Sequence, residues 1–214
     1  MSDQVTGRTL PLVEVTVDGE TVRVPEGATL LDACRAKGID TPTLCYLETL
    51  TPVNACRVCV VELEGSRTLV PSCSRAAQPG AVVRTDTPRV RHSRKLVLEL
   101  LASSVDLSLA SQDVRRWMDG YEVNAEKFGP LAAAVSDRDG RNPGHHHAPD
   151  GTTAETVAQP VKIHDEMYIR DYSKCILCYK CVEACGEDAQ NTFAIAVAGR
   201  GFDARISTEF DRRL

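Results

Sequence analysis

Four cysteines between positions 45 and 73 constrain this 214-residue chain more than any other feature. They are Cys45, Cys56, Cys59 and Cys73, and their spacing is C-x10-C-x2-C-x13-C. A [2Fe–2S] cluster needs four thiolates, two on each iron. Cys56 and Cys59 can reach one cluster from a single tight loop, and Cys45 and Cys73 can close it from either side. The spacing therefore predicts a [2Fe–2S] site, although the first gap of ten residues departs from the C-x4-C-x2-C spacing of plant-type ferredoxins.

The nine cysteines of the chain admit two other interpretations, disulfides and zinc. Disulfides are typical of exported proteins, and the first residues, MSDQVTGRTL, contain no apolar segment of the kind that a secretory signal requires. A structural zinc site usually combines two C-x2-C halves, whereas the first group contains one. Asn54, Ala55 and Arg57 also leave room for main-chain N–H groups to approach the sulfurs, which helps to set a reduction potential. We therefore expect iron.

A second group of cysteines lies in the segment DYSKCILCYKCVEAC. Its members follow the C-x2-C-x2-C-x3-C spacing of bacterial ferredoxins and are Cys175, Cys178, Cys181 and Cys185. This run predicts a [4Fe–4S] cluster; zinc is the alternative, but the run lacks separated halves. In two-cluster ferredoxins the last cysteine ligates the other cluster. Here Gly186 stands where proline is common, and we expect Cys185 to ligate the local cluster. The alternatives are a ligand from beyond position 214 or from a partner.

Strand and helix patterns around the first cysteine group predict a β-grasp domain. Asp18-Gly19 is a hairpin signal, because a type I′ turn needs positive φ. Thr29, with Asp32 three residues later, marks the start of a helix, and Gly38 marks its end. The predicted elements are strands Leu12–Val17 and Glu20–Val24, a helix from Thr29 to about Lys37, and strands Val58–Leu63, Thr68–Val70 and Ala81–Arg84.

Three segments of the first group resemble a known family. They are TLCY (Thr43–Tyr46), ACRVCVVE (Ala55–Glu62) and PSC (Pro71–Cys73). They resemble the N-terminal [2Fe–2S] domain of the large iron–sulfur subunit of respiratory complex I. They are equally similar to that domain in the alpha chain of NAD-dependent formate dehydrogenases, in the small diaphorase subunit of NAD-reducing nickel–iron hydrogenases, and in iron-only hydrogenases. The resemblance implies a [2Fe–2S] ferredoxin-type β-grasp fold for about residues 8–88.

The resemblance extends to the C-terminal part of the chain, in RDYSKCILCYKCVEAC and in AVAGRGFDARIST (Ala196–Thr208). Between the two ends the chain departs from the family. Members carry a histidine and three cysteines there, which bind a further [4Fe–4S] cluster, whereas Ser103–Val114 reads SSVDLSLASQDV and contains neither residue type. That cluster cannot form by this route. We expect His92, upstream of this segment, to be solvated, and Cys34 to be a buried small apolar residue on the predicted helix.

The chain is therefore predicted to have an α+β fold in four parts. Residues 1–88 form the β-grasp [2Fe–2S] domain, and residues 89–134 form a helical region in which the histidine and cysteine ligands are lost. Its helices are an amphipathic one at Val90–Leu101 and one over Asp113–Pro130 that is followed by a turn, with Trp117 and Met118 as packing residues. Residues 135–160 read as a flexible loop, with His145–His147 solvated in it. Residues 161–214 form a ferredoxin-type [4Fe–4S] module.

The sequence contains no G-x-G-x-x-G, P-loop or nucleophile–histidine–carboxylate motif, so we predict no catalytic site of its own. The resemblance implies an electron-transfer subunit of an NAD(P)-linked oxidoreductase, with formate dehydrogenase first and a nickel–iron hydrogenase second. The implied partners are a molybdopterin or nickel–iron catalytic subunit and a flavin- and NAD-binding subunit. A free ferredoxin-like carrier and a zinc-binding interaction protein are the alternatives. The net charge of −5 argues against nucleic acid, no apolar run is long enough to span a membrane, and cysteine use predicts the cytoplasm.

Overall fold

The computed structural model describes residues 10–128, 161–163, 168–200 and 204–212. The chain divides into two units. The first comprises the chain up to Thr41 together with Cys59–Val90, and the second comprises Pro42–Val58 and the chain from Arg91 onward. Strands dominate the first unit and helices and short hairpins the second, in agreement with the predicted α+β class.

A five-stranded mixed sheet forms the frame of the first unit. Its strands are β1 (Leu12–Val17), β2 (Glu20–Pro25), β3 (Val60–Leu63), β4 (Val70–Pro71) and β5 (Val82–Arg84), and their order is β2-β1-β5-β3-β4. β1 pairs with β5 in parallel, and the other pairs are antiparallel. The turn between β1 and β2 has φ of 48° at Asp18 and 84° at Gly19, as a type I′ hairpin requires. Hairpin, helix and later strands follow the order predicted for a β-grasp.

Helix α1 (Leu30–Ala36) is fixed at both ends by local hydrogen bonds. At its start, Thr29 and Asp32 form a capping box in which each side chain bonds to the other residue's backbone N–H. At its end, the N–H of Gly38 donates to Arg35 and that of Ile39 to Cys34, which is a Schellman motif. Cys34 is fully buried in the core with the valines of β1, β2 and β5. The prediction that it is a buried small apolar residue is confirmed.

Strands β3 and β4 differ most from their predicted bounds, whereas β2 and β5 differ by one residue each. The chain predicted to be extended from Val58 instead turns at Val58 and Cys59, and β3 begins at Val60. Arg57, at φ 60°, is left-handed and directs the chain into this turn. β4 ends on Pro71, which pairs with Val60 at the sheet edge, where a residue without an N–H is tolerated.

The second unit contains helices α2 (Pro88–Ser104, from Arg91 onward in this unit) and α3 (Gln112–Gly120). α2 is longer than predicted because Pro88 occupies its first turn, where a missing N–H costs nothing. α3 starts at the Ser111 cap, whose side chain accepts from the N–H of Val114. Both helices cover an apolar cluster built on Leu44, Val58 and Leu98, and its other members are Cys56, Val97, Leu101, Val114, Trp117, Met118, Tyr121, Val123 and Ile176. The predicted packing of Trp117 and Met118 is confirmed.

The C-terminal part of the second unit consists of short elements. They are hairpin β6–β7 (Lys162–Ile163 and Ile169–Arg170), helix α4 (Lys180–Cys185), hairpin β8–β9 (Ile195–Ala198 and Arg205–Thr208), and single 3₁₀ turns at Tyr172–Lys174 and Glu209–Asp211. The Tyr172 hydroxyl donates to the carbonyl of Ile206 at 2.5 Å and so ties the second cysteine segment to β9. The predicted loop at 135–160, with His145–His147, lies outside the described residues. Within the described ranges, none of the helices combines the length and the apolar character needed to span a membrane.

Candidate iron–sulfur sites

Cys45 and Cys56 form a thiol pair in the second unit. A hydrogen bond joins the two side chains, and it lowers the pKa of Cys45 to about 5 while raising that of Cys56. Backbone N–H groups of Ala55 and Cys56 also donate to the Cys45 sulfur, and that of Val58 donates to the Cys56 sulfur. These are the N–H···S contacts expected from the loop sequence, and they favour thiolates.

Cys59 and Cys73 form a second thiol pair, in the first unit. Their sulfurs lie 3.4 Å apart, and both residues are buried. Two thiolates on one tetrahedral metal with bonds of about 2.3 Å stand ~3.8 Å apart. Ser72 fixes the pair, since its N–H and hydroxyl both donate to the carbonyl of Cys59, at 3.3 and 2.8 Å. Each pair, within its own unit, provides the two thiols that one iron of a [2Fe–2S] cluster takes.

The loop that carries the first pair owes its shape to left-handed residues. Asn54 has φ of 61° and Arg57 has φ of 60°, and the Arg57 guanidinium donates to the Asn54 side-chain oxygen at 3.4 Å. Successive left- and right-handed residues point neighbouring N–H groups to one side of a loop and make an anion-binding concavity. A cluster with four thiolates is an anion, so this backbone suits it.

The second cysteine segment has the same backbone character. Leu177 (φ 50°) and Tyr179 (φ 60°) are left-handed on either side of Cys178, which is costly for bulky side chains. The N–H of Leu177 donates to the sulfur of Cys175, whose pKa is raised by burial. Burial also raises the pKa of Cys181, and the charges of Cys178 and Cys175 add to the effect. These three sulfurs therefore interact electrostatically, as ligands of one cluster do.

Cys185 is buried at the end of α4 and is held by a separate set of donors. Its sulfur accepts from the N–H of Ala194 at 3.1 Å and lies 3.1 Å from the Thr192 hydroxyl. The bond from Thr192 is the main reason that the pKa of Cys185 is lowered, and backbone N–H groups add to it. This environment suits a thiolate, but which cluster Cys185 ligates stays a prediction.

Among the described residues, there is no group of three or more cysteine, histidine or acidic side chains that could hold a metal ion. A [2Fe–2S] cluster takes two thiolates per iron and a [4Fe–4S] cluster takes one. His92 is exposed, as predicted.

An ion pair occupies the segment in which the family's additional ligands are missing. The Lys174 ammonium, next to Cys175, binds the Asp106 carboxylate and also donates to the Ser108 hydroxyl at 3.0 Å. The N–H of Asp106 donates to the carbonyl of Ser173 at 2.8 Å. The hydrogen bond from Lys174 lowers the pKa of Asp106 to about 2. Sequence reasoning missed this contact, since nothing in the sequence pairs residues 68 positions apart.

Two family models match the chain at its two cysteine groups. Residues 11–88 match the 2Fe-2S iron-sulfur cluster binding domain, and residues 168–190 match the 4Fe-4S binding domain. The matched ranges contain all eight predicted ligands. A [2Fe–2S] and a [4Fe–4S] cluster are therefore the cofactors of this chain.

Curated relatives match nearly the whole chain. The NADP-reducing hydrogenase subunit HndD of Solidesulfovibrio fructosivorans is 35% identical over 96% of this chain and 33% of its own length. The NADH-ubiquinone oxidoreductase 75 kDa subunit of Reclinomonas americana is 34% identical over 92% of this chain and 26% of its own length. This chain thus spans a third or less of these relatives.

A solved structure shares the fold. The crystal structure of an NAD+-reducing [NiFe]-hydrogenase in the H2-reduced state superposes with a TM-score of 0.68 at 24% identity, over 92% of this chain and 74% of the matched chain. The chain therefore combines a 2Fe-2S iron–sulfur cluster binding domain with a 4Fe-4S binding domain, and over nearly its whole length it is homologous to part of an NADP-reducing hydrogenase subunit and part of an NADH-ubiquinone oxidoreductase subunit.

Proposed function

We propose that the chain is an electron-transfer subunit of an NAD(P)-linked oxidoreductase, relaying single electrons between a catalytic site and a flavin on other subunits. The observation that carries this proposal is the arrangement of its thiols, two pairs and a run of three with a fourth nearby, in a chain without a catalytic motif. Bound iron–sulfur clusters supply one-electron chemistry. The protein holds and orients them and sets their potentials through N–H···S bonds and burial.

The proposed ligand sets follow the spacing and the thiol geometry. Cys45, Cys56, Cys59 and Cys73 hold the [2Fe–2S] cluster, and Cys175, Cys178, Cys181 and Cys185 hold the [4Fe–4S] cluster. The supporting observations are the 3.4 Å sulfur separation in one pair, the shared hydrogen bond in the other, and the electrostatic interaction within the run. In this proposal the chain has four parts, which are residues 1–88, 89–134, 135–160 and 161–214.

Two complexes are candidates for the assembly that contains this chain. A formate dehydrogenase with a molybdopterin subunit is the first choice, from the sequence resemblance at both cysteine groups. A nickel–iron hydrogenase is the second, and the hydrogenase names among the relatives favour it. In either complex the remaining partner is a flavin- and NAD-binding subunit. Eight thiolates that must stay reduced favour the cytoplasm.

Purification of the native assembly without oxygen tests this function. We expect the chain in a large complex that NAD(P)H reduces, with about six irons per copy of this chain, two plus four. Molybdenum or tungsten in the purified complex would support a formate dehydrogenase, and nickel would support a hydrogenase. A free 23.3 kDa species would instead support a diffusible carrier, and zinc without iron or sulfide would overturn the proposal. A count near ten would reveal a further [4Fe–4S] cluster.

A further inference from the structure

We propose that Thr51 and Asp188 are a positioning pair that fixes the loop between Cys45 and Cys56 to the [4Fe–4S] segment, and so sets the path for electrons between the two cluster sites. The inference rests on the proposed function and deepens it. Both residues belong to the second unit, as do Cys45, Cys56 and the whole [4Fe–4S] segment. Neither residue is a ligand, so the pair acts through the segments that it joins.

Two hydrogen bonds join Thr51 to Asp188. The Thr51 N–H donates to one carboxylate oxygen of Asp188 at 2.5 Å, and the Thr51 hydroxyl donates to the other at 3.0 Å. The two residues are 137 positions apart in sequence, so the contact is tertiary. Both oxygens of one carboxylate thus bind one residue, and charge-assisted bonds of this kind specify orientation as well as distance.

The two segments also pack together through apolar side chains. Ile176, between Cys175 and Cys178, packs against the apolar cluster that contains Leu44 and Cys56. Leu44 directly precedes Cys45, and Asp188 follows Cys185 by three residues. The ligand segments are therefore joined at two places, an apolar one at Ile176 and a polar one at Asp188. Two separate contacts resist rotation of one segment on the other, which a single contact does not.

The length of the loop explains why the second contact is needed. Its ten residues exceed the four of plant-type ferredoxins, and a longer loop has more conformations to restrict. Thr51 lies near its middle, where an anchor removes most of that freedom. Electron exchange requires only that the electron lost by one cluster is gained by the other, with no bond or proton transferred. Because tunnelling falls steeply with distance, the positions of the ligand segments govern its rate.

Hydrogen–deuterium exchange on the full-length protein tests the anchor directly. In Asp188→Ala both acceptors are lost, and we expect exchange in residues 46–55 to rise by about tenfold, as a lost charge-assisted bond allows. Thr51→Val keeps the N–H bond and should show a smaller rise, and Thr51→Ser keeps both donors and should restore protection. Glu187→Ala and Thr49→Val, at neighbouring exposed positions, are the controls. Equal exchange in wild type and Asp188→Ala would overturn the inference, with or without bound iron.

Spin relaxation of the reduced holoprotein tests the positioning role. A reduced [4Fe–4S] cluster speeds the relaxation of a nearby reduced [2Fe–2S] cluster in a distance-dependent manner. We expect Asp188→Ala to weaken this enhancement while iron content and both EPR signals are retained, and Thr51→Ser to restore it. Unchanged relaxation in Asp188→Ala, with both clusters present, would overturn the positioning role and leave the proposed function standing. Missing EPR signals in the wild type would instead count against the proposed function, and the exchange experiment would still decide on the anchor.

Discussion

At the scale of single residues, the type of ligand could be predicted from the sequence, but the backbone conformation of the residues beside the cysteines could not. Thiolate spacing predicts eight cysteine ligands, because few arrangements of four cysteines suit a cluster, and their assignment stays a prediction. The left-handed conformations of Leu177 and Tyr179 carried no signal, since bulky residues are rarely found there. Such strain persists only where surroundings impose it, and here it accompanies the N–H···S bond from Leu177 to Cys175.

The Cys45–Cys56 pair leads to a prediction for Cys56→Ser. Removing this thiolate leaves one iron with an incomplete sulfur ligand set, so we expect the rhombic [2Fe–2S] signal to disappear from the EPR spectrum of the reduced protein. Cys34→Ala is the matched control, because Cys34 is buried in the core and outside both ligand groups. It should keep both signals. A [2Fe–2S] signal in Cys56→Ser identical to that of the wild type would mean that the ligand set is wrong.

The Asp106–Lys174 pair predicts a pH dependence. The folded pKa of Asp106, about 2, lies below its ordinary value of 3.8, so its contribution to stability is present above pH 3.8 and is lost as the pH falls towards 2. A lowered pKa corresponds to about 1.36 kcal/mol per unit, and this value is reduced because the Asp106 side chain is partly exposed to water. Asp106→Asn should therefore lower the free energy of unfolding by about 1–2 kcal/mol. The gap in unfolding temperature between wild type and Asp106→Asn should therefore stay constant from about pH 5.5 to 8. A gap that changes within that range would implicate another titrating group.

At the scale of elements, the sequence predicted those helices and strands that are fixed by interactions between residues close in sequence. The β1–β2 hairpin and the capped helix α1 were predicted because their turn and caps involve residues a few positions apart. The start of β3 was not, because Arg57 adopts a left-handed conformation that the sequence does not signal, and the chain turns at Val58 and Cys59. The end of α3 at Gly120 was likewise missed within a predicted helical span that extended further.

The capping box of α1 predicts the effect of Thr29→Ala. The change removes the side-chain acceptor for the N–H of Asp32 and the hydroxyl bond to the Asp32 carboxylate, so we expect a loss of about 1 kcal/mol in the free energy of unfolding. Thr29→Ser preserves both bonds and should be nearly neutral. Denaturant unfolding of the two variants measures this difference, and equal losses in both would show that the cap does not stabilise the helix. Cluster content should remain at the wild-type level, because none of the proposed ligands lies on α1.

At the scale of the whole molecule, the sequence shows which of the family's ligands are lacking, but not which contacts their segment makes instead. Ser103–Val114 lacks the histidine and cysteines of the family. In the structure, this segment is tied to the [4Fe–4S] segment by Asp106 and Lys174, and the buried Ser103 hydroxyl donates to the carbonyl of Leu100. Polar side chains thus make a connection here that needs no metal. The long-range contacts from Asp106 and Thr51 depend on the assembled unit, which is why no local pattern could predict them.

The number of ligands that the chain supplies to its [4Fe–4S] cluster can be tested at Cys185. We expect the local run to provide all four, so Cys185→Ala should leave three thiolates and one exposed iron, and in air the cluster should decay to a three-iron form with its own EPR signal. The N–H of Ala194, 3.1 Å from the sulfur, supports a thiolate at this position, and Gly186 frees the backbone beside it. Thr192→Val is the control, since it removes the hydroxyl contact and keeps the thiolate. An air-stable four-iron cluster in Cys185→Ala would show that Cys185 ligates a different cluster or only packs, and that the fourth ligand comes from elsewhere.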